Sequence, residues 1–235
     1  MYGYGEAYLR ASFEVLCGQS FKDFDVVISD NSRDQKILEL CEEFAVQLPI
    51  RFYRNLRSQG ISANLNNAIG NASGKLIKIL FQDDYLYTSD AIGKVVKNFD
   101  LRKDTWMVSK SEHSYDAVTY LREFTPKFSR SVLFGVNTIS SPSVLTIKNS
   151  SNLPRFDENL TLLMDCDYYF QCYLLFGEPK ILCDVNVVNR IGAHQVSKSL
   201  VDRAMRKFEL KYMRNKYSER LSPLDKIRFF LSQLR

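Results

Sequence analysis

From Tyr4 to Phe99 the chain alternates short apolar runs of strand length with segments whose apolar residues recur at helical spacing, and this alternation constrains the fold most. A helix is expected from Tyr4 to Gly18, with Tyr8, Leu9, Phe13, Leu16 and Cys17 on one face and Gly18 as its stop. A strand over Phe24–Ser29 leads to Asp30, Asn31 and Ser32. A helix then runs from Arg33 to Val46, with Ser32 and Gln35 at capping-box spacing. Strand Ile50–Tyr53, helix Gly60–Ala72 closed by Gly74, and strand Lys75–Phe81 follow in turn. Thr88, Ser89 and Asp90 open a further helix that carries Ile92, Val95, Val96 and Phe99. This order predicts an α/β fold with a mostly parallel central sheet flanked by helices.

Beyond Trp106 the pattern loosens, with a strand expected over Pro142–Ile147, a helix over Asp165–Phe176 ahead of Gly177, and a strand over Ile181–Val188. From Asp202 onward the chain reads as helical and basic, interrupted near Pro223. The 235 residues suit one large domain, or a domain with a small appendage, and an apolar content of 45% is enough for an ordinary core. A net charge of +5 suits anionic ligands or an anionic membrane surface and is too small to argue for nucleic acid. Five cysteines, an odd number with no Cys-x-x-Cys, and no signal peptide point to a reduced, cytoplasmic setting. No apolar stretch approaches the roughly 20 residues of a membrane-spanning helix.

Four constellations could carry chemistry. The apolar run Leu76–Phe81 ends in Gln82, Asp83 and Asp84. Ligands of open α/β sheets bind beyond the carboxyl ends of strands, and paired carboxylates there suit a divalent metal with its phosphates. The alternative is a solvated acidic turn. Asp30, also just past a strand, is placed to accept from a base or ribose, or to cap the next helix together with Ser32. Asp165, at a helix start, is either a partner of the helix dipole or a general base facing a cleft. His194, in the polar segment from Arg190 to Ser197, is one of two histidines and reads as a metal ligand or a structural side chain.

Together these residues resemble the family 2 glycosyltransferases of the GT-A fold. Tyr8–Phe21 is similar to the helix after the family's first strand, and Asp25–Ser32 to the second strand with its nucleotide-contacting Asp. Gly60–Ile69, with Gly74 and Lys75, resembles the helix leading to the Asp-x-Asp strand, and Gln82, Asp83 and Asp84 resemble a variant of that motif. Ser141, Pro142 and Ser143 fall where the family has an acceptor-side loop, Met164 and Asp165 at its Glu-Asp motif, and His194 at a late metal-associated His. The resemblance covers residues 1–200 as a GT-A domain and leaves 201–235 as a basic helical tail.

The resemblance implies a nucleotide-diphosphate sugar donor and a glycan or lipid-linked acceptor, in surface polysaccharide synthesis. Asp30 would meet the nucleotide base, with Gly60, Asn64 and Asp83 also on the donor side. Asp84, with His194, would hold Mn²⁺ or Mg²⁺, and Asp165 would be the base of a single inverting displacement. Three departures stand out. The family's first strand is missing ahead of Met1, which should leave its neighbours in the sheet with unpaired backbone groups. Phe81 stands at the first position of the Asp-x-Asp motif, and Met164 stands in place of Glu. An inactive, truncated remnant of such an enzyme is the alternative. A nucleotidyltransferase ranks lower, because Gly3 and Gly5 lack a following basic cluster. A dinucleotide-binding oxidoreductase would need a Gly-x-Gly-x-x-Gly that is absent.

The tail has two readings. Arg206, Lys207, Lys211, Arg214, Lys216 and Arg220 alternate with apolar residues. This pattern suits an interfacial helix that makes peripheral contact with the inner face of a membrane. It also suits a terminal helix packed on the domain with a solvated basic face, and this second reading is preferred.

Overall fold

The computed structural model describes residues 5–56, 60–116, 118–192 and 203–232. Helix α1 (Gly5–Cys17) precedes β1 (Val26–Asp30), α2 (Lys36–Phe44), β2 (Ile50–Arg54) and α3 (Ile61–Asn71). Then come β3 (Leu76–Lys78), β4 (Tyr85–Leu86), α4 (Ala91–Asn98), β5 (Trp106–Ser114) and β6 (Tyr120–Phe124). After 3-10 turns at Arg130–Phe134 and Pro142–Val144, the chain forms β7 (Leu145–Lys148), α5 (Met164–Phe176) and β8 (Lys180–Arg190). It ends with α6 (Arg203–Lys216) and α7 (Pro223–Ser232).

Strands β1 and β2 pair in parallel, with Asp30 opposite Arg54. The remaining strands form a sheet in the order β3-β7-β5-β8-β4, with β6 on β5. The mostly parallel pairing expected from the sequence holds for β1–β2 and β5–β8 only. The β3–β7, β5–β7, β4–β8 and β5–β6 pairs are antiparallel. Tight returns explain part of this, since β6 follows β5 through a short turn and a parallel partner needs a long crossover.

The expected strand Lys75–Phe81 is shorter. Only Leu76–Lys78 pairs, because the facing segment past Leu145 is the turn Pro142–Val144 rather than a strand. Pro142 favours that turn, and Ser141 caps it by accepting from Ser143 N. Side-chain groups replace the ladder, as Phe81 N donates to Ser143 Oγ at 2.9 Å.

Helix α2 likewise starts at Lys36, not Arg33, because Ser32 turns back to Asp30 instead of capping. Helix α3 ties β1 to the segment between β7 and α5. Asn67 Nδ2 donates to Ser29 Oγ of β1 at 2.8 Å, while Asn66 exchanges two 2.8 Å bonds with the backbone of Phe156.

A core of Phe13, Leu40, Trp106, Val108, Leu145, Tyr169 and Phe170 spans the layers and includes Leu210, Met213 and Phe229 from the last two helices. All five cysteines are free thiols. Among the described residues no helix is long and apolar enough to cross a membrane.

Candidate active site

Asp84 is not part of a solvated turn. It is 4% exposed and sits where β3, β4, β8 and the Ser140–Ser141 loop meet. Its Oδ2 accepts from Asn189 Nδ2 at 2.9 Å and Ser141 Oγ at 3.0 Å, and its Oδ1 accepts from Arg190 N at 3.1 Å. Burial, reinforced by the neighbouring Asp83, raises the Asp84 carboxyl to about 7, against the hydrogen bonds from Asn189 and Ser141.

Two cations stand close by. Lys78 ends β3 and donates to the Ser143 carbonyl. Burial lowers its ammonium to about 7, while Asp84 acts in the opposite direction. Arg190 Nε donates to the Asp83 carbonyl at 3.3 Å, and its guanidinium lies 4.3 Å above the Tyr8 ring of α1. Helix α1 thus lies against the acidic turn.

Asp165 stands in the first turn of α5, half-buried, with Oδ1 accepting from Cys166 N at 2.7 Å and Oδ2 from Asn137 Nδ2 at 2.5 Å. Burial raises its carboxyl above the ordinary range, although these hydrogen bonds oppose the shift. Asn137 Nδ2 also donates to the Ser140 carbonyl at 2.9 Å, and Ser140 Oγ donates to Asn189 Oδ1 at 2.9 Å. One polar chain therefore connects Asp165 to Asp84 through Asn137, Ser140 and Asn189. Its middle member, Ser140, has a φ of 97°, the one positive value among the described non-glycine residues. Backbone strain of this kind gathers at functional sites.

Asp30, Asn64 and Gly60 form a second group at the carboxyl ends of β1 and β2. Asp30 Oδ2 accepts from Arg54 Nη1 at 2.5 Å, and both its oxygens accept from Ser32. It caps no helix. Asn64 Oδ1 accepts from Asn55 Nδ2 at 3.0 Å and Ser29 Oγ at 3.3 Å, so its carbonyl is committed to the scaffold. Gly60 precedes α3 with a φ of 109°, a backbone state that favours glycine. Beside this group, Asn31, Ser32, Arg33, Gln35, Arg54, Asn55 and Leu56 line an open cavity of about 390 Å³.

His194 lies outside the described residues. Asn137, Ser140, Asn189, Arg54 and Lys78 were not singled out from the sequence. A signal existed for Asn189, because Asn186 and Asn189 flank Val187 and Val188 in the apolar part of β8 and are buried there. Buried amides of this kind need partners.

The model of glycosyl transferase family 2 matches residues 1–145, more than half of the chain, and the chain belongs to that family. An uncharacterized glycosyltransferase of Methanocaldococcus jannaschii, MJ1057, is 28% identical over 183 residues, covering 73% of this chain and 61% of the relative. Staphylococcus aureus TarS 1–349 in complex with UDP superposes with a TM-score of 0.65 at 16% identity, covering 97% of this chain and 75% of that one. The mannosyltransferase PcManGT from Pyrobaculum calidifontis in complex with GDP-Man and Mn²⁺ gives 0.64 at 14% identity, covering 97% and 65%. These likenesses establish the GT-A fold. The chain spans 61% of the archaeal relative's length and 38% of the longer TarS chain.

Proposed function

We propose that this protein transfers a sugar from a nucleotide-diphosphate donor to a hydroxyl of a glycan or lipid-linked acceptor, in a single inverting step. The observation that carries this reading is the polar chain from Asp84 to Asp165, which links through Ser140 the carboxylate we read as donor-side to the one we read as acceptor-side. Neighbours of the same fold bound to UDP, or to GDP-Man and Mn²⁺, support a nucleotide-sugar donor.

In this reading the cavity beyond β1 and β2 receives the nucleoside, with Asp30 accepting from its base. Arg54 holds the Asp30 carboxylate in place, and an ionised carboxylate retains capacity for a further donor. Asp83 meets the ribose or donor sugar. Asp165, its basicity raised by burial, takes the proton of the incoming hydroxyl. Arg190 lends positive charge beside the acidic turn.

A divalent cation fits this corner. Asp83 and Asp84 offer hard oxygen donors, and burial together with Asp83 raises the Asp84 carboxyl, a shift that a bound cation would oppose. Among the described residues no group of three His, Cys, Asp or Glu side chains could hold an ion. Donor phosphates, water and His194 would complete the shell of Mn²⁺ or Mg²⁺. When bound, the ion supplies charge neutralisation for the diphosphate leaving group.

The product is assigned to surface polysaccharide. Leu224, Ile227 and Leu231, exposed on one face of α7 beside the exposed Lys226 and Arg228, support peripheral membrane contact during that work.

The test is incubation with Mn²⁺ and UDP-glucose, UDP-N-acetylglucosamine or GDP-mannose, scoring nucleotide release with and without glycan acceptors. Release from one donor that is lost in Asp84→Ala with unchanged circular dichroism supports the reading. Absence of binding and of turnover with every donor rejects it.

A further inference from the structure

Helix α6 carries two polar side chains that reach into the domain. Glu209, 2% exposed, accepts from the amides of Thr161 at 2.9 Å, Leu162 at 3.0 Å and Leu163 at 2.8 Å. These are the amides just ahead of α5, where Leu163 occupies the N-cap and offers no side-chain acceptor. Buried amides need acceptors, and here a distant carboxylate supplies them for the three residues that lead into α5, the last of which is its N-cap residue. Asp165 follows two residues after Leu163.

One turn earlier on the same helix, Arg206 Nη2 donates to the Gly135 carbonyl at 2.9 Å. Gly135 ends the turn Arg130–Phe134 with a φ of 70°, and Asn137 follows two residues later. The three segments are in close packing at this point. A Cβ on Gly135 would come within 2.9 Å of the Leu163 side chain and 3.2 Å of Leu210. Helix α6 therefore holds the two strips of backbone that deliver Asn137 and Asp165, the pair that meets at 2.5 Å.

We infer that Glu209 and Arg206 are positioning residues: they clamp the Leu163 and Gly135 segments together and so set the Asn137–Asp165 contact. The inference rests on the reading of Asp165 as the base. It makes α6 part of the acceptor side of the site and not only an appendage covering the core.

The test uses the full chain with Glu209→Gln, Glu209→Ala, Arg206→Ala, Arg206→Lys and, as a control on the exposed face of α6, Lys211→Ala. Hydrogen–deuterium exchange of residues 161–165 and 135–140 reads the clamp without needing a substrate. Turnover of UDP-glucose, UDP-N-acetylglucosamine or GDP-mannose, with Asp165→Asn alongside, reads its effect.

The expected result is faster exchange in both segments for Glu209→Gln, and a kcat lower by about 10- to 100-fold with the donor KM little changed. Arg206→Lys should recover what Arg206→Ala loses, and Lys211→Ala should match the wild type. If Glu209→Ala unfolds the protein, Glu209→Gln and the Arg206 pair still decide the matter. Wild-type exchange in Glu209→Gln and Arg206→Ala overturns the clamp. Faster exchange with full kcat overturns its link to the site. Full turnover in Asp165→Asn, or silence of the wild type with every donor, overturns the functional reading instead.

Discussion

Asn189 Nδ2 lies 2.9 Å from Asp84 Oδ2, although 105 residues separate the two in the chain. The same amide group donates to Ser141 Oγ at 2.7 Å, and its oxygen accepts from Ser140 Oγ. Asn189 is thus the junction between the donor-side carboxylate and the loop that leads to Asp165. Replacing it with Ala strips a buried carboxylate of a donor, which costs about 1–3 kcal/mol. Urea unfolding of Asn189→Ala should show a loss of that size. A loss below about 0.5 kcal/mol, within the range of an ordinary surface change, would mean that the contact does not matter.

The Asp84 carboxyl is raised from its ordinary 3.8 to about 7 in the folded protein, by burial first and by Asp83 second. The folded state therefore binds this proton more tightly than the unfolded chain does. Its contribution to stability is fully present below about pH 4 and is lost as pH rises through about 7. Without divalent ions, the thermal midpoint of the wild type should fall over that window more steeply than that of Asp84→Asn. Mn²⁺ at pH 7.5 should raise the wild-type midpoint and leave Asp84→Asn unmoved. Parallel pH curves for the two proteins would count against the assignment.

Asp157 has the opposite sign. Burial pushes its carboxyl up, but Lys216 at 2.7 Å and the amide of Asn159 outweigh burial and hold it at about 2. Its stabilisation is present above about pH 4 and is lost as pH falls toward 2. Lys216 also reaches Asp167 of α5 at 2.9 Å, so this acid-labile link ties α6 to α5. Asp157→Asn should reduce the drop in thermal midpoint between pH 5 and pH 3, as measured by circular dichroism.

Ser140 combines a φ of 97° with a 2.9 Å hydrogen bond to Asn189. Ser140→Ala keeps the strained backbone and loses the bond, whereas Ser140→Gly loses the bond and relieves the strain. The glycine variant should be more stable than the alanine variant by about 1 kcal/mol. Both should turn over donor more slowly than the wild type. Equal stability of the two variants would show that the loop carries no strain.

The first five elements were legible because their signals are local. Leu9, Phe13 and Leu16 recur at helical spacing and are buried in α1. Two of the misread boundaries turned on partners outside their own element, while the strand expected over Pro142–Ile147 starts only at Leu145 because Pro142 opens a local turn. Ser32 leaves the start of α2 because Asp30 and Arg54 engage it. The strand after Gly74 stops at Lys78 because Pro142 turns the facing segment out of the ladder. Asp30, Asp84 and Asp165 could be picked out as acids beside strand ends and helix starts, and the structure brings the last two into one polar chain. Asn137 and Ser140 had no local mark, since their role depends on what faces them.

By itself, the sequence determined the order of helices and strands as far as β3 but not β4, β5 or β6, the burial of their apolar faces, and the placing of acids just past strand ends. Periodicity carries that information because each helix or strand exposes its faces at a fixed repeat. The tertiary structure alone decided that β5 pairs with both β7 and β8, that Asn189 serves Asp84, and that Glu209 of the basic tail takes the amides leading into α5. Those outcomes follow from the need of every buried polar group for a partner. Such a partner can lie anywhere in the chain that folding brings within hydrogen-bond reach.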